Sequence, residues 1–483
     1  MADSSSSISP DRIRLSRNPT LFILFRIFLN SRFYYPVYAL LFLDFGLNQE
    51  QFATLNFAWA LSIVLLEVPS GALADQLGRR PLVISAAVLM IIEMTVMLLM
   101  PAVKRGQFDG NPAALNSAVW VLFIVFLINR IISGAAEAAA SGADEALAYD
   151  SLPEKDRDHL WTKLTTRLMK WQSIAFIIIT LIGAAAYDPI SVNMTLNCLG
   201  FSSHLTQSDT LKFPIILTLG MALAALFTAL RMKEPPEFQP SRDPSIILSI
   251  RRSFRRTFRA GAWILKTPAA LMLLLVGLCF DSIIRLYYTV GSIWIEVIGF
   301  HRFQMGYISV AGSIAGIIAS VIGERLMRKH SPNFNFRILS ILVFIGVFSL
   351  AFPIRYWSVL FLPALWISMR LLHFFLSNYL NRVTSAENRA TVLSFRGMTM
   401  NLAYGILTWL YGWQTIFLRK KYGAAGAGKT PARGEDLVHL IFTNATRWWW
   451  VYLLVVLLAM ALFHRFKIRK SWNELLDSGK GAD

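Results

Sequence analysis

"RFYYPV", Arg32 to Val37, stands near the middle of the first long apolar run of the chain, and "RLYYTV", Arg285 to Val290, stands near the middle of the seventh. Both follow the pattern RxYYxV. At the same offset downstream, the turn "GLNQEQF" from Gly46 matches "GFHRFQM" from Gly299 at its glycine and at Gln51 and Gln304. Further on, "DQLGRR" from Asp75 is echoed by "ERLMRK" from Glu324, an acid followed four and five residues later by two bases. Three matches in the same order describe a duplicated six-helix unit. That build sets a binding site between repeats near the midplane of a bilayer.

The runs around these motifs are those of a membrane protein. Of 483 residues, 55% are hydrophobic and 13% aromatic, with mean hydropathy +0.50, too apolar for a soluble surface. Apolar runs of about 20 residues, enough to cross a hydrocarbon core, occur twelve times: 20–43, 52–74, 81–102, 118–147, 161–187, 212–231, 268–298, 303–327, 334–353, 355–381, 388–418 and 446–466. All are expected to be helices, because backbone in lipid must satisfy itself and no segment alternates like a barrel strand. The expected fold is therefore all-α, twelve transmembrane helices in two pseudo-symmetric six-helix bundles. The expected divisions are a tail (1–19), a first bundle (20–231), a linker (232–267), a second bundle (268–466) and a second tail (467–483).

A net charge of +18 raises nucleic acid as a partner, and its placement argues against that. Arg12, Arg14 and Arg17 precede the first run, Arg79 and Arg80 follow the second, Arg325, Arg328 and Lys329 follow the eighth, and Arg465, Lys467, Arg469 and Lys470 follow the last. Basic residues thus gather in alternate loops, which by the positive-inside rule places both termini in the cytoplasm of a multi-pass protein of the plasma or inner membrane. Lys104, Arg105, Arg419, Lys420 and Lys421 are exceptions. "MADSSSSISP" has no apolar core, so no cleaved signal is expected. Cys198 and Cys279 fall at different depths, against a mutual disulfide. Sequons at Asn193 and Asn444 fall in expected outward loops.

Within the linker, Ile247, Ile250, Phe254 and Phe258 recur at helical spacing, flanked by Arg251, Arg252, Arg255, Arg256 and Arg259. This predicts an amphipathic helix, serving either as a contact with an anionic leaflet or as a basic tether.

"GALADQLGRR", Gly71 to Arg80, resembles the signature loop between helices two and three of the major facilitator superfamily, and "RIISGAA", Arg130 to Ala136, is similar to that family's fourth-helix motif. The flanking "EVPSGALAD" and "NRVTSAENRATVLS", Asn381 to Ser394, resemble a branch with many uncharacterised and drug-export-like members. One departure is the fifth run, "QSIAFIIITLIGAAAY", which lacks the glycine-proline signature of typical drug/proton antiporters. The resemblance implies a cavity lined by the first, fourth, seventh and tenth helices. It also implies a cytoplasmic gate built from Gly71, Asp75, Gly78, Arg79, Arg80 and Asp150, echoed by Glu324 and Arg328.

Ionisable side chains inside spanning helices are costly, so each is a functional candidate. In "RIISGAAEAAASGADEALAYD", Arg130, Ser133 or Gly134, Glu137, Ser141 and Asp144 follow steps of three and four and are expected to share one face. Asp150 either pairs with Arg79 as a gate lock or is a solvated helix end, and Asp144 with Glu145 have Arg167 or Lys170 as alternative partners. Asp281, Arg285, Tyr288 and Ser292 form a second stripe, and Trp366, Arg370, His373 and Ser377 a third. Arg32 and Arg285, with Tyr35 and Tyr288 as walls, suit an anionic group; the alternative for Arg285 is an ion pair with Asp281 alone. The expected solute contacts are Arg32, Tyr35, Arg130, Glu137, Asp281, Arg285, Tyr288, Arg370 and His373. Glu137, Asp144 and Asp281 are the candidates for proton coupling, and Glu93 is either a proton site or an interhelical hydrogen bonder.

No phosphate-binding GxxxxGK[ST] loop occurs, and His159, His204, His301 and His330 are dispersed without HExxH, against an ATP-driven pump or a metalloenzyme. The expected function is secondary transport of a small amphipathic solute by alternating access, as proton-coupled export of drug-like or lipid-like compounds. Uptake of an organic anion and a flux-free receptor are the alternatives. Expected partners are the solute, protons and membrane lipids, with no cofactor, metal or nucleic acid, and the chain is expected to be a monomer.

Overall fold

The computed structural model describes residues 17–108, 111–235, 245–384, 389–423, 435–463 and 465–466. Arg12, Arg14, residues 236–244 of the linker, residues 385–388 of the Asn381–Ser394 motif, and the tail with Lys467, Arg469 and Lys470 lie outside the described residues.

Among the described residues the chain is helical and without strands. The first half comprises α1 (Asn18–Asn30), α2 (Tyr38–Asp44), α3 (Gln49–Leu77), α4 (Arg79–Leu99), α5 (Pro112–Ala140), α6 (Ala143–Asp150), α7 (Arg157–Tyr187), α8 (Pro189–Cys198), α9 (Gln207–Thr210) and α10 (Phe213–Arg231). After the linker helix α11 (Ile246–Lys266), the second half comprises α12 (Pro268–Val297), α13 (Gln304–Lys329), α14 (Pro332–Ala351), α15 (Leu362–Val383), α16 (Arg389–Gly423), α17 (Glu435–Thr446) and α18 (Trp449–Phe463). Ten spans are long and apolar enough to cross a membrane. The other two expected spans are the first, which is broken, and the eleventh, which is the 35-residue helix α16.

The two copies of RxYYxV fold differently. In the second half, α12 runs unbroken through Arg285–Val290. In the first half, helix α1 stops at Asn30 and a short 3-10 turn, Tyr35–Val37, leads into α2. The copies differ at two residues, Phe33 for Leu286 and Pro36 for Thr289, and of these the proline breaks the helix, because it has no N–H to donate and its ring clashes with the preceding turn. The freed backbone is satisfied from outside the segment, the Phe33 N–H donating to Thr218 Oγ1 at 3.1 Å. Gly183 of α7 packs on the same break: a Cβ there would lie 1.8 Å from the Phe33 carbonyl oxygen.

Two other expectations of continuity are corrected. The fourth span breaks at Ser141–Gly142, with Gly142 at φ +75, so Glu137 and Asp144 do not share one helical face. The last span begins near Leu437, not at 446. Asn444 therefore lies on a helix, not in a loop, with its Oδ1 accepting from the Tyr422 hydroxyl at 3.2 Å. Asn193 also lies on a helix, α8, and its Oδ1 accepts from the Leu205 N–H at 2.8 Å. Cys198 and Cys279 are both free thiols.

The halves meet along two matched seams, α3 against α16 and α7 against α13. Since α3 and α13 are the second spans of their halves, and α7 and α16 the fifth, the seams are one packing repeated by the internal symmetry. Small residues let the backbones approach: a Cβ on Gly412 would lie 3.1 Å from Ala53 Cβ, and one on Gly306 2.9 Å from the Thr180 carbonyl. The linker helix α11 lies against α3 and α16. Its small and polar residues Ser249, Thr257, Ala260 and Gly261 face inward, while Ile247 and Phe258 are exposed, the arrangement of a helix that offers its apolar side to a bilayer.

Gly183→Ala is expected to destabilise the detergent-purified protein by about 1–3 kcal/mol, read as a lowered unfolding midpoint, because the contact is with backbone that cannot rotate away. Gly220→Ala, with open space around it, is the control and should leave the midpoint unchanged or raise it.

Candidate functional site

Helix α12 is packed on nearly all sides. From Phe280 to Ile295 every residue is buried except Arg285 and Tyr288. Tyr288 is 45% exposed, and its electrostatic neighbour is Arg370 of α15, so this opening is an internal cavity rather than the lipid surface. Arg370 and His373 of α15 are exposed beside it. From the first half, Tyr35 is 44% exposed among Arg32, Glu137, Glu93 and Arg130, and Glu137 is exposed as well. The repeat shows here in detail: in each tyrosine pair the first ring is buried, Tyr34 at 1% and Tyr287 at 4%, and the second is open.

In the second half, Asp281 is fully buried and ion-paired with Arg285 one turn along the same helix. Its other oxygen lies 3.2 Å from His373 Nε2. Arg285 also donates to Asn401 Oδ1 at 2.7 Å and lies over the Tyr404 ring, 5.1 Å from its centroid. The intrahelical pair and the cavity position are thus both present.

The first half is arranged differently. Glu93 of α4, fully buried, accepts from Arg32 at 2.8 Å and faces Arg130 at 3.6 Å. Arg32 also donates to the Tyr34 hydroxyl at 2.9 Å, and Arg130 lies over Trp59 at 5.5 Å. Arg32 and Arg130, expected as solute contacts, are instead buried and share one carboxylate. With α1 ended at Asn30, Arg32 has no helical register to match that of Arg285. Asp144, expected on the cavity stripe, is buried beyond the Gly142 break and paired with Arg26 of α1 at 2.5 Å. Glu145 also pairs with Arg26, at 2.8 Å, so neither Arg167 nor Lys170 is the partner.

One face of the bundle, called here the basic face, carries Arg79, Arg80 and the arginines of α11. Both ion pairs that join the halves among the described residues lie at the opposite face: Arg302 with Asp44, and Arg419 with Glu50 at 2.8 Å. Around the first, Tyr187 donates to Asp44 at 2.5 Å, Arg302 reaches Glu296 at 3.2 Å, and His439 lies 3.4 Å from Glu296. Gln49 adds a hydrogen bond to the Val438 carbonyl at 3.0 Å.

A sequence model described as the Major Facilitator Superfamily matches residues 20–408. The chain belongs to the major facilitator superfamily. It is a membrane transporter and not an enzyme. No curated protein sequence matches it significantly. Similar solved structures include a bacterial homologue of the human lysosomal transporter Spinster, inward-facing and unoccupied, at 15% identity, TM-score 0.65 and 98% coverage of both chains. Also similar are the nucleoside transporter NupG, at 13% identity, TM-score 0.63 and coverage of 94% of this chain and 100% of that one, and a D-xylose–proton symporter, at 13%, 0.56, 92% and 96%. At these identities the likeness is one of fold.

In this superfamily member the signature loop holds itself together. Arg79 pairs with Asp150, as expected, and donates to the Ala146 carbonyl at 2.9 Å, but both partners belong to the first half. Gly78, at φ +95, is a conformation glycine alone adopts readily. It lets Glu234, from the end of the sixth span, cap α4 by accepting from the Arg79 and Arg80 N–H groups at 3.0 and 2.8 Å. Arg80 donates to the Leu230 carbonyl at 3.1 Å. Asp75 is exposed, with Arg79 and the linker's Arg256 as electrostatic neighbours. A Cβ on Gly71 would meet nothing within 4 Å outside its own helix. The echo in the second half is no lock either: Glu324 and Arg328 form an exposed intrahelical pair at 3.5 Å that joins nothing.

Sequence reasoning missed the opposite-face latch, Glu234 and Arg26. For the latch a signal was present, since Arg419 is one of the exceptions to the alternating charge bias and Arg302 follows the repeated glycine turn at Gly299. Replacing Glu93 by Gln leaves two buried guanidinium groups facing each other without a counter-charge. It is expected to cost about 3–5 kcal/mol of unfolding free energy in detergent, whereas Glu324→Gln, at an exposed pair, should stay within about 0.5 kcal/mol.

Proposed function

We propose that this transporter carries a small amphipathic solute outward by alternating access, using the cavity between the halves. The observation that carries the reading is the placement of both cross-half ion pairs at the opposite face, beside a cavity that opens Tyr35, Glu137, Arg285, Tyr288, Arg370 and His373 to solvent. With the basic face cytoplasmic by the positive-inside rule, this is a conformer latched on the outside, ready to load from the inside. The outward direction is supported by the likeness of the "EVPSGALAD" and "NRVTSAENRATVLS" segments to drug-export-like members. In this reading the chain works as a monomer in a cell membrane with both termini cytoplasmic.

For proton coupling, Asp144 and Asp281 are committed to Arg26 and to Arg285 with His373. Glu137 has no cation within ion-pair distance among the described residues, and its electrostatic neighbours include Glu67 of α3. A carboxylate free of a counter-ion in a wet cavity is the one able to exchange its proton as the cavity changes sides. Uptake of an organic anion is the second reading, favoured by the arginines of the second half.

The latch is tested with a cysteine at Tyr288 in a protein whose Cys198 and Cys279 are replaced. A membrane-impermeant thiol reagent should label it from the basic face, and Arg302→Gln should raise labelling from the opposite face severalfold. Equal labelling from that face in both proteins would remove alternating access through this latch. In proteoliposomes screened with fluorescent hydrophobic cations and organic anions, Glu137→Gln is expected to abolish flux driven by a pH gradient while keeping solute exchange. Gradient-driven flux at the native rate in that variant rules Glu137 out, and the side on which solute accumulates decides between export and uptake.

A further inference from the structure

The interior of the second half holds more positive charge than it can neutralise. Between the two faces, and among the described residues, its one carboxylate is Asp281, while Arg285 and Arg396 lie beside it with His373, and Arg370 lies beside Tyr288. Asp281 is already shared by Arg285 and His373. Arg396 of α16 has Asp281 as its electrostatic partner, yet its Nε and one Nη are shut from water without a hydrogen-bond acceptor. Arg370 is exposed to the cavity, with no carboxylate within ion-pair distance among the described residues. Its stem is held against α13, where a Cβ on Gly316 would lie 3.1 Å from Nε.

These groups form a ladder. On α12, Asp281, Arg285 and Tyr288 follow each other by four and three residues, so they lie one above the other along about 10 Å of helix. His373 and Arg396 stand at the Asp281 end, towards the basic face, and Arg370 stands at the Tyr288 end. The facing wall, from the first half, is acidic: Glu137 is exposed, and Glu67 has a buried oxygen with no hydrogen-bond partner. An uncompensated guanidinium in a low-dielectric cavity demands an anion. The forked donors of arginine match the oxygens of a carboxylate or phosphate. The opposing acids repel an anion from their own wall and so fix which half receives it.

We propose that the solute carries a carboxylate or phosphate group that seats on Arg370 beside Tyr288, drawn up the ladder past Arg396, with its uncharged body against the Tyr35 and Tyr288 rings. The inference rests on the transport reading of this cavity and deepens it by naming the charge of the cargo. The group belongs either to a free organic anion or to a single-chain lipid, and the probes separate the two.

The test is ligand-dependent thermal stability of the full-length protein in neutral detergent. The probes are phenyl phosphate and benzoate as free anions, dodecyl phosphate as the lipid-like anion, and tetraphenylphosphonium as the cation. At least one anion should stabilise the native protein in a saturable manner, and tetraphenylphosphonium should compete poorly. Arg370→Gln should weaken that anion at least tenfold, Arg396→Gln severalfold, and Arg370→Lys should recover part of the loss. Tighter binding of phenyl phosphate or benzoate assigns a free organic anion; tighter binding of dodecyl phosphate assigns a lipid headgroup. Stabilisation of the native protein by the cation alone, which needs no variant to be folded, overturns the proposal, as does unchanged anion affinity in both glutamine variants. Proteoliposome flux separates the two readings. Anion binding without flux leaves the seat standing and removes transport, whereas cation flux without anion binding removes the seat and leaves transport standing.

Discussion

Glu93 sits out of water between Arg32 and Arg130, and the first half is built around that contact. Three formal charges from three different spans meet where no solvent can screen them, so the first, third and fourth spans hold one relative position or leave a bare charge in the core. Other features follow from the same constraint. Arg32 must leave the helical path to reach Glu93, the first span is broken where it does so, and Gly183 brings α7 close enough to cover the break. In the first half, the described carboxylates left without an ion pair at the cavity are Glu137 and Glu67.

The second half carries the same motif and resolves it differently. Thr289 replaces Pro36, helix α12 stays whole, and Arg285 keeps its place on a continuous face above Asp281. Here one acid serves several cations, and the surplus is directed into the cavity. The duplication thus yields two similar scaffolds with opposite electrostatic walls. A cavity with one acidic and one basic wall can orient a dipolar or charged solute, which two identical walls cannot.

The two faces of the bundle differ in how they are closed. At the opposite face, Asp44 with Arg302 and Glu50 with Arg419 join the halves directly. At the basic face the signature loop is braced within its own half, through Arg79 with Asp150 and through Glu234 capping α4. The linker helix also packs there against α3 and α16, with its Arg256 beside Asp75. Rigid-body rocking needs this kind of division, stiff loops within each half and separable pairs between them.

Much of this was legible in the chain itself. Span length, the alternating basic loops and the three repeated motifs determine twelve helices in two related halves, because the bilayer leaves backbone few options and hydropathy records them. The pairing of Arg79 with Asp150 and the stripe of Asp281, Arg285 and Tyr288 were also readable, since both follow from local motif or helical spacing. What periodicity could not supply was continuity: it carried the fourth span through Gly142 and the first through Pro36, and so misplaced Asp144 and Arg32. Which buried charge neutralises which, Glu93 for Arg32 and Arg130, Arg26 for Asp144, Arg302 for Asp44, was decided by tertiary structure alone. Those partners lie on different spans, and only the packing of helices determines which charges come within ion-pair distance.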